Sequence, residues 1–186
     1  MERVNFKNSK GLNLAGALHI PKEKTNSIII IAHGFTSGKD RARMIKLAEN
    51  IKKNGFAALR FDFGGSGESY DGEITIENQV DDLESAINFA KTKGYKHIGL
   101  QGESLGGLIS ILACNKSIKT IVLWAPVTKS KNKLNSELKE ELKKKGHITL
   151  KKDGKKFRMP TEYFEERKKV RQKQLLSKIE CPVLIL

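Results

Sequence analysis

Gly102, Glu103, Ser104, Leu105 and Gly106 form a Gly-x-Ser-x-Gly pentapeptide between the strand-like run 97–101 and a helix-like run. Where a strand reverses sharply into a helix, the glycines flanking a serine remove side chains that would collide, and the hydroxyl projects above the sheet. Such a hydroxyl attacks an acyl carbon once a neighbouring base takes its proton. His33, Gly34 and Phe35 directly follow the apolar run 28–32, at the same carboxyl end of the predicted sheet. Backbone N–H groups at Phe35, and at Leu105 after the serine, are candidate donors to the negative oxygen of a tetrahedral intermediate.

Other polar residues have plainer readings. Residues 62–69 (DFGGSGES) are glycine-rich but have neither the GxxxxGK[ST] order nor GxGxxG, which favours a tight loop over a phosphate cradle. Asp71, Asp81 and Asp82 lie near strand ends or a helix start, where acidic groups serve as caps or meet the helix dipole. No histidine is an evident base for Ser104: His19 falls in an opening hairpin, His97 at the entry end of its strand, and His147 reads as a surface residue.

The elements that must position these residues follow from apolar periodicity. Residues 3–7 and 12–20 read as a hairpin, 27–32 (SIIIIA) as a buried strand, and Met44, Leu47, Ala48 and Ile51 as a helix stripe. Strand 56–63, a second stripe at Val80, Leu83, Ile87 and Ala90, strand 98–101, helix 104–116 and strand 120–125 continue the alternation. This predicts an α/β fold: a mostly parallel twisted sheet of about seven strands with helices on both faces. The rhythm breaks over residues 129–178, read as a helix at 134–145, a hairpin at 148–159 around Asp153 and Gly154, and one helix at 160–178 beginning with Pro160. It resumes at 181–186 (CPVLIL). The expected division is a core at 1–127, a basic insertion at 128–178 between two sheet strands and a core strand at 179–186.

Composition narrows the function. With 186 residues, 38% of them hydrophobic and 30% charged, there is room for one sizeable core. The longest apolar run, 28–32, falls well short of the roughly 20 residues that span a bilayer, and the first residues carry no apolar signal core. A cytoplasmic protein without membrane partners is expected. The net charge of +14 is concentrated in residues 128–178, which hold 18 Lys and Arg against 7 Asp and Glu. Lysine supplies 28 of the 35 basic residues and no aromatic platform is interleaved, so a solvated surface is expected rather than a nucleic-acid interface. Cys114 and Cys181 read as isolated, buried structural thiols. No metal site and no cofactor are expected.

HGF after one strand, DFGGSGES after the next and GESLG after the third resemble the α/β-hydrolase fold family over residues 3–126, with a fainter match at 179–186. The HGF and RFDFGGSGES segments are most similar to bacterial feruloyl or cinnamoyl esterases and their serine-aminopeptidase-like relatives. The resemblance implies a serine hydrolase of small-molecule carboxylic esters: Ser104 as nucleophile, Phe35 and Leu105 as oxyanion-hole donors, and His33, Gly34, Gly102, Glu103 and Gly106 as the supporting loops, with His33 bracing its own. It implies a cap over the acyl pocket at 128–178. It also puts the triad acid just after CPVLIL and the histidine one strand later, both beyond Leu186. The accompanying expectation is an interrupted reading frame, or a second polypeptide that completes the fold, and impaired activity for these residues by themselves. The alternative is a catalytically dead relic, or a binding module that uses the basic cap.

Overall fold

In the computed structural model, which describes residues 1–127 and 134–186, the run Ser-Ile-Ile-Ile-Ile-Ala forms β3 (Ser27–Ala32) at the middle of a seven-stranded sheet. Its four contiguous isoleucines serve two faces, because successive side chains on a strand point oppositely. Ile31, with Ala58 of β4 (Ala57–Phe61), packs beneath Met44 and Ala48 of helix α1 (Ala42–Lys53). Ile28 and Ile30, with Leu59 and Phe61, face the larger core against α2 (Ile76–Thr92) and α3 (Leu105–Leu112). A parallel strand covered on both sides reads as continuous apolar sequence for this reason.

The sheet begins with the antiparallel pair β1 (Glu2–Lys7) and β2 (Asn13–His19), and β2 joins β4 antiparallel. From β4 onward, β3, β5 (His97–Glu103), β6 (Ile118–Trp124) and β9 (Val183–Ile185) run parallel, giving the order β1-β2-β4-β3-β5-β6-β9. The α/β class, the predominantly parallel sheet and its seven strands agree with expectation. Strand β9 lies at the edge beside β6 and leaves Leu184, Ile185 and Leu186 exposed.

The inserted segment forms α4 (Ser136–Lys145), the hairpin β7 (His147–Lys152) and β8 (Lys155–Pro160), α5 (Thr161–Lys169) and α6 (Gln172–Leu176). The expected start of the cap, residues 128–133, lies outside the described residues. Asp153 and Gly154 turn the hairpin, both with positive φ (51° and 75°), the geometry that matches the right-handed twist of paired strands. Ile148, Phe157 and Met159 of the hairpin, with Tyr163 and Phe164 of α5, are buried in the same core as the sheet. The single helix expected at 160–178 is instead two, because Val170 is extended (φ −64°, ψ 122°). The bend brings α6 against α3, where Leu175 and Leu176 pack on the core. Pro160 caps α5 in extended conformation rather than starting it.

Two further expectations need correction. Cys114 and Cys181 are neither isolated nor fully buried: both are half-buried and line one cavity. Asp82 is no helix cap. It lies in the interior of α2 on its buried face, while Thr75 caps that helix by accepting from the Asn78 N–H at 3.0 Å. Among the described residues no helix is long and apolar enough to cross a membrane.

Candidate active site

Neighbouring parallel strands deliver the candidate residues to one place. Ala32 of β3 is registered with Gly102 of β5, so the His33–Phe35 loop and Ser104 leave the sheet side by side. A side chain begun at Gly34 would lie 3.4 Å from the Ser104 Cβ. Ser104 sits between β5 and α3 at φ 52°, ψ −111°, a conformation that costs a non-glycine residue about 1–3 kcal/mol. The surrounding bonds hold it there: its N–H donates to the Trp124 carbonyl at 3.0 Å, and its carbonyl accepts from the Gly107 and Val127 N–H groups at 3.1 and 3.0 Å. Space is equally restrictive. A Cβ on Gly102 would meet the Gly106 carbonyl oxygen at 2.5 Å, and one on Gly106 would meet the Ala32 carbonyl oxygen at 2.2 Å.

Leu105 N–H opens α3, where the first turn of a helix has no intrahelical acceptors. Neither the Leu105 nor the Phe35 N–H donates to another protein group among the described residues. The Phe35 ring faces the insertion, stacked with Tyr163 at 6.2 Å and tilted to Phe157 at 6.3 Å. Glu103, beside the serine, pairs with Arg43 of α1 at 2.6 Å.

His33 is a brace by its bonding. Its Nδ1–H donates to the Gly34 carbonyl at 2.8 Å, and Nε2 accepts the Phe63 N–H at 3.2 Å, which ties the first loop to the second. Burial lowers its pKa, only partly opposed by the Gly34 bond, so the ring is neutral and both nitrogens are engaged. The remaining histidines are also placed away from base chemistry. His19 is buried between Glu49 and Arg60, His97 begins β5 at the opposite end of the sheet, and His147 leans on the Lys145 carbonyl in the hairpin. Among the described residues, no side chain hydrogen-bonds to the Ser104 hydroxyl.

Two buried charged centres that sequence reasoning missed organise the loops. Lys39, 3% exposed, places its ammonium against Asp40 (2.6 Å), Asp62 (3.0 Å) and Glu68 (2.5 Å). These three carboxylates approach closely enough to hold a cation, and Lys39 already occupies that position. Asp62 also accepts the Lys39 and Glu68 N–H groups, so a single carboxylate joins loop 33–40 to loop 62–69. Asp82 is the second centre: it accepts from the Asn8 amide at 3.0 Å, the Gly64 N–H at 2.8 Å and the Tyr70 hydroxyl. Its position on the buried α2 stripe with Gln79, Leu83, Ala86 and Ile87 was the available signal.

Burial pushes the Asp82 carboxyl up to about 6, and the accepted hydrogen bonds oppose that only in part. Since this lies above the unfolded value of about 4, the group's stabilising contribution is complete below that value and lost as pH rises through about 6. Removing the titration in Asp82→Asn removes this slope. The stability of the wild type relative to the variant should therefore fall by roughly 2–3 kcal/mol between pH 4 and pH 7. Urea unfolding of both proteins across that range measures it; parallel curves would refute the assignment.

The sequence profile of the serine aminopeptidase S33 family matches residues 23–186. No curated protein matches the sequence. Among solved structures, Est1E from Butyrivibrio proteoclasticus with ferulic acid bound is 23% identical, with a TM-score of 0.79 over 98% of this chain and 77% of its own. The α/β hydrolase GrgF from Penicillium sp. sh18 is 18% identical, with a TM-score of 0.77 over 100% of this chain and 89% of its own. The Pyrococcus furiosus esterase PF2001 is 20% identical, with a TM-score of 0.73 over 99% of this chain and 68% of its own. These similarities are to the whole arrangement of sheet and insertion, and the profile spans the loops described above. The chain belongs to the serine aminopeptidase S33 family of the α/β-hydrolase fold.

Proposed function

We propose that this protein is built for hydrolysis of carboxylic esters through an acyl-serine intermediate on Ser104. The observation that carries the reading is the strained serine at φ 52°, beside a loop whose Phe35 N–H, like that of Leu105, has no other protein acceptor among the described residues. The Ser104 oxygen would attack the ester carbon while a base takes its proton. The carbonyl oxygen, now negative, is held by the two amides, and its collapse expels the alcohol and leaves the acyl group on Ser104. Water then repeats the sequence and releases the acid. Ester chemistry is supported by the esterase among the structural relatives and by the ferulic acid bound to Est1E. The cavity of about 350 Å³ between loop 36–41, loop 62–68 and the β7–β8 turn is where we place part of the substrate contact.

The engaged or distant histidines support a further part of the proposal: the base and its orienting carboxylate come from outside residues 1–186. Triads deprived of members lose on the order of 10⁶ in rate, yet keep roughly 10³–10⁴ over water from the oxyanion hole and binding. The 186-residue polypeptide should therefore take up a fluorophosphonate slowly and turn over p-nitrophenyl esters only at that residual level, with both signals lost in Ser104→Ala. Labelling indifferent to Ser104→Ala would overturn the nucleophile. Labelling at the rate of a fully active serine hydrolase would overturn the external base. A second reading, a non-catalytic binding module, is favoured by the charge of the insertion alone; its mark is salt-sensitive binding to an acidic partner that Ser104→Ala leaves unchanged.

A further inference from the structure

At the end of the sheet away from Ser104, two thiols distant in sequence meet. Cys114 follows the cap of α3, and Cys181 precedes Pro182 at the entry to β9. The entry is fixed to β6, since the Pro182 carbonyl accepts the Ile121 N–H at 3.0 Å and the Thr120 hydroxyl at 3.3 Å. Both cysteines pack against the edge of the core and line one open cavity of about 530 Å³, with Lys116, Lys119 and Lys178 around it. The two thiols are close enough that Cys181 helps to push the Cys114 thiol up, and neither is in a disulfide. A shared solvent-reaching cavity, neighbouring thiols and a backbone tied down on the β9 side favour a bond between the two sulfurs.

We propose that Cys114 and Cys181 are a redox modification site at which a peroxide installs an intramolecular disulfide. Cys181, flanked by the exposed Glu180 and Pro182, is the sulfur that attacks, whereas Cys114 directly follows the buried Ala113 and burial pushes its thiol up to about 11. The Cys181 sulfur bonds to one peroxide oxygen as it gives up its proton, and the O–O bond breaks. The departing hydroxide takes a proton to become water, leaving Cys181 as a sulfenic acid. The Cys114 sulfur then attacks the Cys181 sulfur and gives up its proton, and the hydroxyl leaves as a second water. Two thiols are oxidised and one peroxide is reduced. The product joins the end of the helix that Ser104 begins to the base of the short strand β9, closing a long loop and holding a strand that, among the described residues, pairs with β6 alone.

The test exposes the 186-residue protein to hydrogen peroxide. Expected results are loss of both titratable thiols, loss of the mass of two hydrogen atoms, and a non-reduced peptide linking Cys114 to Cys181. The unfolding midpoint should rise by about 10 °C and return with dithiothreitol, as closure of a long loop implies. In Cys114→Ser the oxidation stops at a sulfenic acid that dimedone traps on Cys181; in Cys181→Ser no dimedone adduct forms on Cys114. Persistence of both thiols, cross-linking between molecules in place of the internal link, or trapping on Cys114 would overturn the proposal.

Discussion

Gly106→Ala is expected to destabilise the fold by about 3 kcal/mol, near the upper end for an overpacked site. The added methyl would lie 2.2 Å from the Ala32 carbonyl oxygen and 2.6 Å from that of His33, both main-chain atoms of the strand end and loop beside the serine. No rotamer change relieves a contact with backbone, so α3 must move away from β3. That movement carries Ser104 away from the His33–Phe35 loop, and fluorophosphonate labelling should disappear together with the stability. Gly34→Ala is the control: its methyl meets Ser104 and Glu103 at 3.4 Å, an ordinary contact, and should leave the unfolding midpoint nearly unchanged. A midpoint for Gly106→Ala within a degree or two of wild type would mean that the strand and helix do not approach as described.

Lys39→Met should be costlier still, about 3–5 kcal/mol, because it removes the cation from a buried acidic cluster while leaving the carboxylates in place. Asp62, 1% exposed, bears most of the consequence: its charge would keep two amide donors but lose its only contacting cation among the described residues. Asp40 and Glu68 are largely exposed and can turn toward water, so their share is small. Combining Lys39→Met with Asp62→Asn should recover most of the loss, since the second change removes the stranded charge. Denaturant titration of the two singles and the double gives the coupling directly. Additive losses would show that Lys39 acts by packing alone.

Much of the fold could be read from order and spacing. The continuous apolar run of β3, the stripe of α2 and the Asp153–Gly154 turn declare themselves locally, since each depends on neighbours within one element. Ser104 and the His33–Phe35 loop also met as expected, because strands registered side by side bring their carboxyl ends together. Lys39 was missed, and Asp82 and the two cysteines misread, for a shared reason. A charged residue is by default solvated and a lone thiol by default inert, and only a partner far along the chain reverses either default. For Lys39 that partner is Asp62 and for Asp82 it is Asn8. The α2 stripe offered a clue for Asp82, which falls among buried positions one turn from Ala86; nothing near Lys39 offered one. The break at Val170 was hidden because the contact that follows it, α6 on α3, joins residues far apart in the chain.

Phe35 has an amide N–H with no protein acceptor among the described residues and a ring set against Tyr163 and Phe157 of the insertion. In its proposed role, such a residue would make substrate recognition and rate enhancement mechanically inseparable. A lineage that remodels the insertion to admit a bulkier acyl group would shift the ring, and with it one of the two donors proposed to hold the oxyanion. New specificity on this scaffold therefore comes with altered turnover, and compensating changes should accumulate around the ring rather than around the serine.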